Sequence, residues 1–270
     1  MGRLDGKVAV ISGAARGQGR AHAVTLAREG ASIVAFDICA GFEHVLTPPA
    51  TRADLEETKR LVEEHQQRCI VAPVDARDLP ALLELADRAI SELGRVDILA
   101  VNHGVWSVAP STWELDESAW QESIDILLTG TWKVCRAFLP KIIEGGRGGS
   151  VVLTSSANGL TAQPGAVAYC AAKAGILNMM KVLAWECGEH MIRVNAVCPG
   201  AVATPMSQQG GTIERSEQWW PRYITTRRNL LPIDWQPSES ISDAVLWLVS
   251  DEARYVTGVA LPVDAGWTSF

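Results

Sequence analysis

The sequence predicts an α/β chain in which a parallel sheet of about seven strands, covered by helices on both faces, forms one doubly wound domain over residues 1–270. Three observations lead there. Short, apolar, β-branched runs recur at 8–12, 32–36, 70–74, 96–101, 150–154, 193–197 and 259–263. Amphipathic stretches of helical period lie between most of them, at 55–67, 79–93, 116–139, 168–188 and 239–250. No repeat, low-complexity tract or linker divides the chain, and a hydrophobic content of 47% suffices for a deep core. Near-continuous apolar strands separated by helices make a parallel sheet buried on both sides, and its crossovers are right-handed.

Taken in order, the strand ends collect the residues with chemical potential. After the first run comes Ser12-Gly13-Ala14-Ala15-Arg16-Gly17-Gln18-Gly19, with a helix beginning near Gln18. Glycines there allow a tight turn and let the backbone approach a pyrophosphate at a helix N-terminus, the arrangement of a Rossmann dinucleotide site. The second run ends on Asp37, where a carboxylate accepts hydrogen bonds from the adenosine ribose and repels a 2′-phosphate. Arg16 would attract such a phosphate; the carboxylate outweighs it, so NAD is expected rather than NADP. Asp75-Ala76 follows the third run, with Asp75 either touching the adenine amino group or capping the next helix. Asn102-His103-Gly104 ends the fourth run, where the chain passes close to the cofactor. His103 there either titrates near neutral pH or is a satisfied structural histidine.

Two segments break the alternation. Residues 38–50 form a polar, Pro-containing insertion where a short turn would suffice. Residues 208–235, with Gly210-Gly211, Trp219-Trp220-Pro221 and Arg227-Arg228, read as an irregular excursion, and a substrate lid is expected over about 205–235.

Composition narrows the function classes. With 24 Lys plus Arg against 31 Asp plus Glu, the chain lacks the basic stripe a nucleic-acid partner requires. No apolar run approaches the roughly 20 residues of a membrane helix, and the N-terminal stretch resembles neither a signal peptide nor a myristoylation site. The cysteines at 39, 69, 135, 170, 187 and 198 have no metal-ligand spacing; no metal is expected, and a cytoplasmic chain with reduced thiols is.

Tyr169 and Lys173 stand four apart on one helix and project together. A tyrosine of pKa about 10 is a poor base at neutral pH, and a neighbouring ammonium is expected to lower it so that it shuttles a proton to a carbinol oxygen.

Together with Gly13, Gly17 and Gly19, Asn102-x-Gly104, Ser155-Ser156, Asn195 and Pro199-Gly200, this pair makes the chain resemble the short-chain dehydrogenases/reductases along essentially its full length. The resemblance implies that Ser156 hydrogen-bonds the substrate oxygen and Tyr169 is the acid/base. It implies that Lys173 also holds the nicotinamide ribose. Pro199, Gly200 and Val202 would border the nicotinamide, with Thr204 near its carboxamide or the phosphates. The turn, Asp37-Ile38-Cys39 and the insertion 38–50 are similar to the carveol-dehydrogenase-like, mycofactocin-coupled subgroup. That implies NAD held under the loop and electrons passed to an external carrier. A homotetramer is expected from the family and from apolar faces on 116–139, 168–188 and 256–270.

One departure stands out: Leu127, in Asp125-Ile126-Leu127-Leu128-Thr129-Gly130, occupies the place of an asparagine that in the family helps hold a water next to the lysine. Leucine neither donates nor accepts a hydrogen bond. The expected function is therefore NAD-dependent interconversion of a hydrophobic, cyclic secondary alcohol and its ketone, with Trp106, Val108, Gln163, Trp219 and Trp220 as pocket residues. The alternatives are a catalytically weak or inactive NAD-binding protein, because of Leu127, and a methyltransferase, in which Ser156, Tyr169 and Lys173 would have no role.

Overall fold

The computed structural model describes residues 2–226 and 229–269; Met1, Arg227, Arg228 and Phe270 lie outside the described residues. Seven strands make one parallel sheet: β1 (Val8–Ser12), β2 (Ser32–Asp37), β3 (Cys69–Pro73), β4 (Ile98–Val101), β5 (Gly149–Thr154), β6 (Ile192–Pro199) and β7 (Ala260–Val263). Their spatial order is β3-β2-β1-β4-β5-β6-β7. The chain therefore builds outward from β1 to β3 and then returns to the other side of β1. Where the order reverses, between β1 and β4, the connections leave in opposite directions and a crevice opens at the carboxyl ends of the strands.

The helices are α1 (Gly17–Arg28), α2 (Arg52–Glu63), α3 (Leu79–Leu93), α4 (Glu117–Ile124), α5 (Gly130–Gly145), α6 (Ala157–Leu160), α7 (Val167–Gly188), α8 (Pro205–Gln208), α9 (Thr212–Trp219), α10 (Pro221–Thr226) and α11 (Ser238–Val249). Successive strand residues face opposite sides, so both faces are buried. Val8 and Val10 of β1 join the core that Leu82 of α3, Phe138 of α5 and Ile176 of α7 complete. Ala9 and Ile11 join the other, with Leu26 of α1, Leu55 of α2 and Ile241 and Val245 of α11.

Local chemistry sets the helix ends. The Thr51 hydroxyl accepts from the Asp54 amide while the Asp54 carboxylate accepts from the Thr51 amide, so α2 starts ahead of its apolar period. Asp78 caps α3 by accepting from the Ala81 amide, and Gly94 ends it at φ 80°.

Three features differ from expectation. The stretch 116–139 is not one regular helix: α4 and α5 are joined by a π-helical turn, Asp125–Thr129. The excursion 208–235 is not irregular, since α8, α9 and α10 lie within or beside it; a reciprocal Thr204–Ser207 bond starts α8. Finally, α7, at 22 residues, does have the length and apolarity of a membrane-crossing helix. It packs on β6 and carries Lys173 buried on one face, with Val182 and Trp185 exposed on the other, which is why both of its sides are apolar.

Phe138 has 0% exposure, and its ring lies 6.3 Å from that of Phe36 at an interplanar angle of 17°. Phe138→Ala is expected to cost about 3–5 kcal/mol through lost burial and the cavity left behind. Urea denaturation measures this; a loss below about 1 kcal/mol would mean that the helix–sheet contact is not the packing constraint it looks.

Candidate active site

A cavity of about 1000 Å³ occupies the crevice at the carboxyl ends of the strands. Gly13, Arg16, Gly17 and Gln18 line it from the turn after β1. Asp37 and then Asp75 and Ala76 line it from the ends of β2 and β3, Asn102 and Gly104 from the end of β4. Pro199 at the end of β6 and Gly200, Val202 and Thr204 beyond it line the cavity, and Ser156, Tyr169 and Lys173 lie on its wall. Gly19 is not on the wall. A Cβ there would sit 2.0 Å from the Gly13 carbonyl oxygen, so this glycine lets α1 pack against its own turn.

The turn has the conformation that glycine allows, with φ 65° at Gly13 and 54° at Gly17. The Asp37 carboxylate accepts from the amides of Ala15 (3.2 Å) and Cys39 (3.1 Å), so the acidic residue also ties the turn to β2. The Arg16 guanidinium donates to the carbonyls of Pro48 and Pro49 in the insertion, the latter at 3.5 Å. It is engaged by the loop and not held out toward a 2′-phosphate. Asp75 pairs with Arg77 at 2.7 Å, whose guanidinium lies 5.1 Å from the Phe42 ring centroid. The helix cap is Asp78, not Asp75. A left-handed glycine turn, a carboxylate at the β2 end and a cavity of this size together fit a dinucleotide.

At the other end, Ser156 lies two residues past the end of β5, and its hydroxyl accepts from the Asn158 amide at 3.1 Å. Lys173 Nζ donates to the Thr154 carbonyl at 2.7 Å and lies 5.7 Å from the Tyr169 ring centroid. Burial pushes the Tyr169 phenol up to about 12, while its hydrogen bond with Ser156 pulls the other way. Burial pushes Lys173 down to about 8. The expected lowering of the phenol by the ammonium does not govern this site: desolvation does, and Tyr169 rests in the protonated form. Leu127 is under 2% exposed in an apolar cluster with Val105, Ile126 and Ala172, against which Tyr169 and the loop residues Phe42 and Val45 pack.

Among the expected pocket residues, Trp106 and Gln163 line the cavity; Val108, Trp219 and Trp220 do not. After Trp106 the chain is drawn away by the bond from the Ala109 amide to the Gly165 carbonyl (2.8 Å). Helix α9 turns Ile213, Ser216 and Glu217 to the cavity, a spacing that leaves Trp219 off that face. Trp220 backs Gly165 instead, where an added Cβ would meet its Nε1 at 3.2 Å. Tyr223, Trp235 and Trp267 supply the aromatic lining the sequence did not single out. Tyr223 Oη donates to the Ala162 carbonyl at 2.9 Å, and its ring meets that of Trp267 edge-on at 6.4 Å. No local pattern marks Trp267, which reaches the lid only through the fold.

A doubly wound sheet with a glycine turn at its switch point and a Ser, Tyr and Lys on the wall of the same cavity defines an α/β oxidoreductase of the dinucleotide-binding class. Comparison with known proteins narrows this. A family model described as enoyl-(acyl carrier protein) reductase matches residues 13–268. The (-)-trans-carveol dehydrogenase of Rhodococcus erythropolis is 43% identical over 275 residues, covering 99% of each chain. The crystal structure of carveol dehydrogenase from Mycobacterium avium in complex with NAD superposes with a TM-score of 0.95 at 46% identity, over 100% of both chains. A short chain dehydrogenase from Mycobacterium paratuberculosis bound to NAD gives 0.96 at 42% identity, again over 100% of both. The chain belongs to the short-chain dehydrogenase/reductase family.

Two histidines, His22 fully buried and His103 half-buried, link this region to pH. Burial lowers both His22 and His103 from 6.5 to about 4. Below pH 6.5 the unfolded chain takes up protons that these rings refuse until about pH 4, so stability should fall across that interval. Thermal midpoints measured from pH 7 to 4 should decline, with a shallower decline in His22→Gln; identical slopes in the two proteins would remove His22 from the account.

Proposed function

We propose that the chain interconverts a hydrophobic, cyclic secondary alcohol and its ketone with NAD, using Tyr169 as acid/base, Ser156 to hold the substrate oxygen and Lys173 to support the tyrosine and the nicotinamide ribose. The observation that carries this reading is the convergence of the three side chains on one cavity wall, with Lys173 Nζ 5.7 Å from the Tyr169 ring centroid. NAD, when bound, supplies the hydride acceptor. The Ser156 hydroxyl already accepts from the Asn158 amide, so its own hydrogen is directed to an oxygen, either the phenol or the substrate. Tyr169 keeps its proton at Oη in the resting site, ready to donate to a ketone oxygen. Lys173 uses one of its three donors on Thr154, leaving two toward the cavity. Relatives named for carveol, a cyclic alcohol, support the substrate class, as does the lining by Trp106, Tyr223, Trp235 and Trp267.

Asp37 supports NAD over NADP, since Arg16 is spent on the insertion loop. That loop is fastened on three sides: its Glu43 and His44 amides donate to the Glu122 carboxylate, Arg16 holds Pro48 and Pro49, and Thr47 Oγ1 reaches the Met206 carbonyl at 3.5 Å. Such fastening supports a retained NAD whose electrons pass to an external carrier, and the free cysteines support a cytoplasmic enzyme. Trp132 and Trp185 on α5 and α7, and Trp247 and Tyr255 on the α11 side, are exposed on two separate faces, which supports a homotetramer. A second reading, NAD binding with little catalysis, rests on Leu127, which gives Lys173 no hydrogen-bonding neighbour.

Purified protein given NAD and a panel of cyclic secondary alcohols should produce the reduced-nicotinamide absorbance, and a protein that retains its NAD should instead reduce an artificial electron acceptor supplied in a separate assay. Tyr169→Phe should lower kcat by roughly 10²–10⁴ while NAD still binds. Turnover unaffected by that change would sink the assignment of Tyr169. Light scattering should give a tetramer at micromolar concentration, and a monomer would refute that part.

A further inference from the structure

The π turn between α4 and α5 has a specific partner. In an α-helix the Gly130 amide would bond the Ile126 carbonyl; here it reaches back to Asp125 instead. The Ile126 carbonyl thereby loses its helical donor, and His103 Nε2 stands 3.1 Å from it. The other ring nitrogen, Nδ1, lies 2.8 Å from Ser12 Oγ. That hydroxyl already accepts from two amides, those of Asn102 (2.9 Å) and His103 (3.2 Å).

Proton counting fixes the direction of this chain. The two amides and the carbonyl have no choice of role, and the hydroxyl has a single hydrogen. Ser12 must donate to Nδ1, so Nδ1 is bare and Nε2 carries the hydrogen given to Ile126. Burial, and then the charge of Lys173, keep the ring neutral with a pKa of about 4, so one donor and one acceptor are available and both are used. The fit is close on both sides. A Cβ at Gly13 would come 2.7 Å from His103 Cα, and one at Gly130 would come 3.0 Å from Nε2.

What the ring holds matters because of its neighbours. Gly104, the next residue, is flanked by Leu127 and Lys173: a Cβ on it would lie 3.2 Å from Leu127 Cδ2 and 3.7 Å from Lys173 Nζ. The π turn thus sets where Leu127 stands beside the lysine, and the apolar cluster there continues to Ala172 and Tyr169 on α7. A return to α-helical hydrogen bonding would remove the extra residue from the turn and rotate Ile126 and Leu127 about the axis.

We infer that His103 is a positioning residue, locked as the Nε2–H tautomer, that holds the π turn open and so keeps Leu127 as the dry wall of Lys173. This rests on the proposed role of Lys173 and extends it to His103, which lines the same cavity and acts on the lysine through the π turn. The ionisable groups around the lysine are Cys198 from β6, His103 from the β4 end and Tyr169 from its own helix. Asp75, beyond β3, faces the histidine. None of these comes from the π turn, so Leu127 acts on the lysine through dehydration alone.

Two measurements test this, one of them independent of turnover. Long-range ¹H–¹⁵N NMR of the wild-type imidazoles should show His103 with Nδ1 unprotonated and Nε2 protonated from pH 8 down to about 5; the opposite tautomer, or a titration near 6.5, overturns the inference. The Lys173 ¹⁵Nζ titration should move up by about one unit in His103→Ala, as its wall is lost, and stay in place in His103→Gln, whose amide can accept from Ser12 and donate to Ile126. In turnover, kcat/KM should fall roughly 10- to 100-fold in His103→Ala, with the pH–rate limb shifted in step, and recover in His103→Gln. A Lys173 titration unmoved in His103→Ala, or moved equally in both variants, overturns it. Because the NMR readouts need no substrate, a failed alcohol screen would count against the proposed function and not against this role.

Discussion

The hydroxyl of Ser12, buried at the carboxyl end of β1, joins the two strand ends between which the crevice opens. By accepting from the amides of Asn102 and His103 it fastens the end of β4 to the end of β1 at the point where the strand order reverses. Backbone amides leaving a parallel sheet have no further ladder partner, and buried ones must find another acceptor. Here that acceptor is a side chain small enough to leave the crevice open. On one side of this joint lie the glycine turn and Asp37; on the other lie Gly104, the π turn and Lys173. Both halves of the site take their positions from it.

Burial, more than charge pairing, sets the chemistry on the far side. Tyr169 and Lys173 are driven in opposite directions by the same dehydration, the phenol up and the ammonium down. Leu127 fits this account better than it fits a defect. In a cluster with Val105 and Ala172 it adds to the dehydration, and the insertion residues Phe42 and Val45 pack on the same cluster. The departure at 127 and the extra loop at 38–50 thus belong to one apolar assembly.

The loop and the lid also meet each other. A Cβ on Gly210 would lie 2.6 Å from the Leu46 carbonyl, so the glycine at the start of the lid permits contact with the insertion. Across the cavity, Gln163 Nε2 approaches Ser216 Oγ at 3.5 Å and Tyr223 bonds Ala162, which fastens the lid to the turn that follows Ser156. The insertion 38–50 and the segment 205–235 are therefore mechanically joined.

Hydrophobic period and glycine spacing were enough to read the seven strands, the helices on each face, the glycine turn and Asp37 at the strand ends, and the Tyr169–Lys173 pair on one helix, while Ser156 came from the family resemblance. Those features are local: a β-branched run or an i, i+4 pair carries its geometry within a few residues. The π turn was not legible, because 116–139 keeps an apolar period and the widening is stabilised by His103, distant in sequence. Nor was the choice among tryptophans: Trp219 and Trp220 share the lid with Tyr223, but which of them faces the cavity depends on the phase of α9 and on Gly165. Trp267 arrives from the other end of the chain. The direction of the Tyr169 shift was not legible for the same reason, since an i+4 lysine is visible in sequence while the desolvation that pushes the phenol up is set by every element packed around it. The sequence by itself determined the order of elements and the chemical groups placed at their ends. Only the tertiary structure decided how dry those groups are and which partners they meet, because burial and long-range hydrogen bonds are properties of the assembled chain.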